Sequence, residues 1–317
     1  MIIKKRTKPE SIAYLQRALV RIPSKRAEIN KELQDIEQGY EAEKELDFYL
    51  SRIGFDSSSN MILQDLRLPA ADGFSFFQID SLILTPAFAL IIDVKSLTGQ
   101  LYFEHHARKF RYHLHGKQYE MTHPITQLEE QKDQLKNWLG DAYPIYTISA
   151  LSNQRAQVET DESSAWVHDI VMHFEWIKTK WKEICGKNQD DFFSNSEVTA
   201  HAYRLANADC RPQFHYWKKW NLDVSDVRTG VICPLCGKLA MRRLRVTWEC
   251  PHCKGRDRFA HLNALRDYFA LVAPRMTNVE CRHFLHLENE HQTRVLLTNH
   301  DLLDSRGSTR GRYYFLK

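Results

Sequence analysis

The chain has 317 residues, 43% of them hydrophobic and 26% charged, a globular composition that excludes a wholly disordered or collagen-like polymer. Its net charge of +4 is unevenly spread: residues 228–317 carry 16 Lys and Arg against 8 Asp and Glu, and residues 1–31 nine against two, which leaves −11 for residues 32–227. Basic ends around an acidic middle suggest a polyanionic partner, the alternative being unevenly distributed solubilising charge. No apolar run approaches the roughly 18 residues of a membrane helix. Met1–Arg6 has charge where a signal peptide needs its apolar stretch, so a soluble, cytoplasmic protein is expected.

In chain order, residues 1–34 read as a loosely attached basic arm with one short helix. A long helix follows over 29–53, where Ile29, Leu33, Ile36, Tyr40, Leu46, Leu50 and Ile53 trace one stripe. Strands are predicted at 61–66, 76–85, 88–95, 99–104 and 108–115, then a helix at 124–139 and a strand at 145–151. Another strand, 167–173, leads into a Trp-rich helix at 174–184. This alternation makes residues 35–185 an α/β domain. Residues 186–227 are polar and helix-leaning, a connector. A ribbon is predicted at 228–258. The tail, 259–317, reads as helices at 260–271, 278–287 and 291–299 followed by a Gly-punctuated hairpin over 306–316.

The ribbon rests on cysteine spacing. Cys233-Pro-Leu-Cys236 and Cys250-Pro-His-Cys253 are two Cys-x-x-Cys knuckles separated by thirteen residues, a layout that lets four thiolates face one tetrahedral ion. Four thiolates saturate Zn²⁺, so the site is expected to be structural. The alternative of two disulfides needs an export signal that the sequence lacks. Cys185, Cys210 and Cys281 are isolated and read as small packing residues.

Two strands carry charge on faces that should be buried. Asp80 shares a face with Gln78, Leu82 and Leu84, and Asp93 shares one with Lys95. If Pro86 and Ala87 centre a hairpin turn, Asp80 faces Asp93 and Gln78 faces Lys95. Directly opposed carboxylates are destabilising unless they share a proton or bind a cation. In the preceding helix Glu43 lies within the apolar stripe, where an unpaired charge is costly. Asp80, Asp93 and Glu43 are the hard oxygen ligands expected for Mg²⁺ (or Mn²⁺). The alternative is an internal salt bridge of Lys95 with one Asp, which leaves the other two acids unexplained.

Asp80, twelve intervening residues and then Asp93-Val94-Lys95 resemble the PD-(D/E)xK motif of restriction-endonuclease-like nucleases. More narrowly, Gly39-Tyr-Glu-Ala-Glu43, Phe77-Gln-Ile-Asp80, Ile92-Asp-Val-Lys95 with Gly99, and His123-Pro124-Ile-Thr-Gln127 are similar to the NERD (nuclease-related) domain family. The sequence departs from that pattern in having Asp93 where Glu is usual and Ala42 where Gly is usual. The resemblance implies a restriction-endonuclease-like core, a mixed central sheet flanked by helices, and metal-dependent phosphodiester hydrolysis. Asp80, Asp93 and Glu43 would hold the ion and Lys95 would act beside it. Gln78 and Gln127 are candidate orienting groups, with structural hydrogen bonding as the alternative for each.

The tail resembles a small winged-helix-like α+β module. Gln292, Thr293, Arg294 and Asn299 would lie on its third helix, with Arg306, Arg310 and Arg312 in its wing and Arg242, Arg243 and Arg245 on the ribbon; these are the candidate nucleic-acid contacts. The alternative is a helical cap packed on the ribbon. His105, His106, His113 and His115 lack ligand spacing and read as surface residues. No phosphate loop, nucleophile elbow or His-Glu-x-x-His helix occurs, so no nucleotide cofactor is expected. The expectation is thus a Mg²⁺-dependent nuclease acting on DNA and targeted by its C-terminus, with self-association left open. Its rivals are a non-catalytic nucleic-acid-binding protein on an inactive nuclease scaffold and a protein-interaction adaptor.

Overall fold

A computed structural model describes residues 1–53, 59–104, 109–114, 116–160, 162–298 and 301–317. The chain runs β1 (Ile2–Lys4), α1 (Glu10–Arg21), α2 (Arg26–Arg52), β2 (Met61–Pro69), β3 (Phe76–Leu84), β4 (Ala89–Lys95), β5 (Gly99–Glu104), β6 (Lys109–Leu114), β7 (Lys117–Met121) and α3 (Pro124–Leu139). It continues through β8 (Ile145–Leu151), β9 (Ala156–Thr160), β10 (Val171–His173), α4 (Ile177–Lys187), α5 (Asn195–Ala208) and the short α6 (Tyr216–Lys219). Four short strands follow: β11 (Val231–Ile232), β12 (Leu239–Arg243), β13 (Trp248–Glu249) and β14 (Arg256–Asp257). The tail is α7 (Ala260–Leu271), α8 (Asn278–Leu285), α9 (Glu290–Thr298), β15 (Leu303–Arg306) and β16 (Tyr313–Leu316). These elements form two compact units, residues 1–8 with 37–211, and residues 9–36 with 212–317.

The first unit is built on a mixed six-stranded sheet in the order β1-β2-β3-β4-β8-β10. β2, β3 and β4 are antiparallel neighbours, whereas β8 lies parallel to both β4 and β10. The continuous apolar runs Leu82–Leu84 and Leu90–Ile92 are buried on both faces, which places β3 and β4 at the centre of the sheet. Leu82, Leu84 and Ile91 pack toward Leu128 and Leu135 of α3 and Val198 and Leu205 of α5. Ile83, Leu90 and Ile92 face the other way, toward Leu46 and Leu50 of α2 and Ile177 and Ile184 of α4. α3 starts with Pro124 in its first turn and stops at Gly140, whose φ of 93° suits glycine. A second sheet, β7-β6-β5-β9, closes over a core of Leu101, Phe103, Phe110 and Ile125.

Several features differ from the sequence expectations. The strand expected at 167–173 is a strand only over Val171–His173, after a 3-10 helix that runs from Glu162 to Asp169. Residues 2–4 are not part of a loose arm; they form an edge strand parallel to β2. The polar stretch after 186 is not only a connector, because Val198, Ala202 and Leu205 of α5 give it a buried stripe in the first unit's core. β7 and β9 went unpredicted, since Lys117–Met121 is exposed throughout and has no alternation to read.

In the second unit β11-β12-β13-β14 form the ribbon. Its Cys233, Met241, Trp248 and Cys250 are buried in one core with Leu15 and Ala18 of α1, Leu265 and Phe269 of α7, and Phe284 of α8. The Asp267 carboxylate, 1% exposed, accepts from Arg17 Nε at 2.6 Å and from Arg21 Nε at 2.8 Å. Arg21 also donates to the carbonyls of Arg228 and Gly230, so a fully buried guanidinium ties α1 to the strand entering the ribbon. β15 and β16 pair as a hairpin, its first strand at Leu303–Arg306 lying before the 306–316 span that was expected, and α7–α9 fall where the tail helices were expected. No helix among the described residues is long and apolar enough to cross a membrane.

Candidate active site and metal centre

The turn between β3 and β4 sets their register. Thr85 and Phe88 exchange backbone and side-chain hydrogen bonds, and Thr85 Oγ1 also accepts from the amides of Ala87 and Phe88. The ladder runs from Leu84↔Ala89 to Ser81↔Ile92 and stops there. One step further along each strand stand Asp80 and Asp93. The interrupted ladder is completed by a side chain, because the Val94 amide donates to Asp80 Oδ2 at 2.8 Å.

Asp93, 2% exposed, lies on the face toward α3. Its Oδ2 is 2.8 Å from Lys95 Nζ as an ion pair, without an aligned hydrogen bond. Gln127 of α3 closes a triangle: its amide nitrogen donates to Asp93 Oδ1 at 3.2 Å and its oxygen accepts from Lys95 Nζ at 2.9 Å. The internal salt bridge weighed from sequence is therefore present, and Lys95 is held by two groups at once.

Glu43 is not at the centre of this group. Arg6, its side chain only 3% exposed, donates to Glu43 Oε2 at 2.5 Å and to Asp47 Oδ2 at 2.9 Å, and also bonds the Asp80 carbonyl at 2.7 Å and Ser81 Oγ at 3.1 Å. A guanidinium neutralises the acids of α2 where a metal-bound Glu43 was expected. Among the described residues, Glu43, Asp80 and Asp93 do not bring three ligand oxygens within 4.8 Å of one another. Gln78 is also turned away from Lys95; it is exposed and donates to Asp65 Oδ1 at 3.0 Å, while Gln131 of α3 bonds its carbonyl. It does not face Lys95, because the β3–β4 ladder has ended before it.

Asp65, Arg6 and Asp47 were missed from sequence. Asp65 has φ of 52° at a break in the β2–β3 register, and burial raises its carboxyl despite Lys4 and Arg6 nearby. Its signal was the three-residue step from Leu63 to Leu66 in a strand otherwise alternating by two. Nothing in the local sequence marks Arg6, whose partners lie far along the chain.

Asp80 carries the electrostatic consequence. Burial first, then Asp93, then Glu43 push its carboxyl up to about 8, against the opposing pull of the Val94 amide and Lys95. Part of its side chain remains open to solvent. With Asp93 paired to Lys95 and Glu43 to Arg6, Asp80 is the acid left without a cation of its own. Asp80 and Asp93 are the residues here that could hold a divalent ion, which would supply the positive charge that Asp80 lacks.

The four ribbon cysteines do converge. Their sulfurs all lie within 4.8 Å of one another, with Cys233–Cys253 and Cys236–Cys250 each at 3.6 Å. Tetrahedral Zn²⁺ with ~2.3 Å Zn–S bonds has sulfurs about 3.8 Å apart, so the group fits zinc. Each knuckle closes with a backbone bond, Gly237 N to Cys233 O and Lys254 N to Cys250 O, both 2.9 Å. Gly237 and Lys254 have matching φ of 70° and 58°. The Cys253 and His252 amides help draw the Cys250 thiol down to about 7.

The candidate nucleic-acid residues are scattered over the second unit. Arg243, Arg245 and Gln292 line one cavity, and Arg294 and Arg312 another that also holds Glu290. Arg242 is exposed on β12, and Arg306 is exposed with its guanidinium 5.4 Å from the Phe315 ring. Thr293 is not available for contact, being fully buried with its hydroxyl on the Asn289 carbonyl. The side chain of Arg310 and residues Asn299, His105, His106 and His115 lie outside the description. His113 is half-buried and paired with Gln118.

A family model described as NERD, nuclease-related domain, matches residues 38–172. No curated protein and no solved structure matches the chain. The matched segment holds Glu43, Asp80, Asp93, Lys95 and Gln127, and leaves out Arg6 and the four cysteines. By sequence, then, residues 38–172 match the nuclease-related domain family, and a four-cysteine cluster of zinc-ribbon form follows them.

Proposed function

We propose that the chain is a Mg²⁺- or Mn²⁺-dependent nuclease that hydrolyses phosphodiester bonds of DNA, targeted by its zinc ribbon and a winged-helix-like tail. Asp80 and Asp93 would hold the ion, with Glu43 behind them on Arg6. When bound, such an ion lowers the pKa of water and polarises a phosphoryl oxygen. Lys95, held by Asp93 and Gln127, would stabilise negative charge building on the phosphate. Gln127 orients both partners of that pair. A restriction-endonuclease-like core is consistent with the mixed sheet between helical layers.

The observation that carries this reading is Asp80, a carboxyl kept among other acids with its own charge uncompensated. A purely structural cluster would be expected to pair it or replace it. One observation favours the non-catalytic alternative: Arg6 already neutralises Glu43 and Asp47 without any metal. Digestion of linear, circular and single-stranded DNA and of RNA with either metal separates the two. Wild type is expected to cut, and Asp80→Ala and Lys95→Ala to bind without cutting. If wild type cuts none of these substrates with either metal, the nuclease reading is wrong.

A further inference from the structure

The loop between β12 and β13, the start of α7 and the first turns of α9 enclose a cavity of about 330 Å³ in the second unit. Three arginines line it, Arg243, Arg245 and Arg258, and no Asp or Glu does. Among the described residues none of the three has an ion-pair partner. Arg243 is the informative one. Its Nε and Nη1 are buried and hydrogen-bonded to nothing, while its guanidinium lies 5.4 Å from the Trp248 ring. An indole face offsets some of the charge but offers those N–H groups no acceptor. Burial, then the Arg258 charge, hold the Arg243 guanidinium below its usual range. A group with several acceptor oxygens and negative charge relieves all of this together, and phosphate is such a group.

A free inorganic anion does not account for the rest of the rim. Phe259 is 59% exposed, Val246 64% and Val295 42%, so an aromatic ring and two aliphatic side chains stand open beside the arginines. The Arg258 guanidinium lies 5.7 Å from the Phe259 ring. Aromatic faces next to a cationic wall recur where unpaired bases stack while their phosphates are neutralised. Bases in a duplex have both faces covered by their neighbours and cannot use the ring. We propose that this cavity holds one unpaired nucleotide of a nucleic-acid strand, its phosphate on Arg243 and its base on Phe259. The proposal deepens the nucleic-acid reading given above and rests on that reading, but not on catalysis.

The test uses the full-length zinc-loaded chain carrying Asp80→Asn, so that substrate is not consumed, with fluorescence anisotropy of a labelled single-stranded 12-mer. Phe259→Ala is expected to weaken single-strand binding about tenfold while leaving duplex affinity and salt dependence unchanged. Arg243→Ala and Arg258→Ala are each expected to lower affinity and to reduce the log–log salt slope by about one. Arg243 packs on Trp248, so its variant counts only with full zinc content and an unchanged melting temperature. Arg258 and Phe259 are exposed and decide the matter if it fails that check. Competition supplies the other arm: a nucleoside monophosphate should displace the strand at lower concentration than inorganic phosphate. Equal displacement by the two, or wild-type affinity in Phe259→Ala, overturns the proposal. Cleavage by the chain without Asp80→Asn is scored separately. Cutting with unaltered binding in the pocket variants sinks the pocket alone, whereas pocket-dependent binding without cutting sinks the nuclease reading alone.

Discussion

Replacing Asp80 with Asn should make the metal-free protein more stable, by an amount that grows as pH rises from about 4 to about 8. The carboxyl sits at about 8 in the fold against 3.8 for the unperturbed group. A raised carboxyl pKa contributes stability that is fully present below about 4 and is lost as pH rises through about 8. Four units correspond to at most ~6 kcal/mol at ~1.4 kcal/mol each. The side chain is partly open to solvent, and screening and relaxation reduce this to about 2–3 kcal/mol. Asn keeps an oxygen for the Val94 amide and removes only the charge. Urea unfolding without divalent ions should therefore show wild type and variant within ~0.5 kcal/mol near pH 3.5, and the variant ahead by about 2–3 kcal/mol at pH 9. That gain is worth several degrees in Tm for a unit of this size. Added Mg²⁺ should close the gap by stabilising wild type alone. A difference independent of pH, or a variant less stable at pH 9, would refute the account of Asp80.

Arg6→Met strips the counter-charge from Glu43 and Asp47 and should cost about 3–5 kcal/mol, read as a lower urea midpoint. Lys95→Ala should reduce metal-dependent cleavage at least ~100-fold and Gln127→Ala about tenfold. Lys95→Ala leaves the buried Asp93 without its cation and should also lower the melting temperature. Gln127→Ala should leave it near wild type, and loss of folding in Gln127→Ala would recast the triangle as structural. Metal analysis should find one zinc per chain, and Cys236→Ser or chelation should expose Trp248, seen as a red-shifted fluorescence, because Cys233 and Cys250 lie in the same core. Asp267→Asn should destabilise the second unit by about 3–5 kcal/mol, since it leaves the buried Arg21 with no anion.

Periodicity and spacing made much of this molecule legible. The α2 stripe, the Pro124–Gly140 helix and the β3–β4 register all follow from local pattern, and the two knuckles from cysteine spacing alone. What was hidden depends on partners distant in sequence. Arg6 reaches residues 37 to 75 positions away, and its role exists only because residues 2–4 join the sheet edge. Glu43 was correctly seen as a charge in an apolar stripe, but the stripe cannot say whether a metal or a guanidinium answers it. Gln78 was misplaced by extending a ladder past the point where it opens. Asp65 had a visible signal, the extra residue between Leu63 and Leu66, which only pairing with β3 turns into a bulge.

The Thr85–Phe88 turn works as a ruler. It lies about 17 Å along the strands from Asp80, at ~3.4 Å per residue, yet it helps decide which residue of β4 stands opposite. Inserting one residue there would rotate every β4 side chain to the opposite face, sending Asp93 and Lys95 away from Gln127 while Ile92 took their place. Such an insertion touches no charged group, so the chemistry of this chain is exposed to lesions in a short apolar corner that no inspection of its acids would flag.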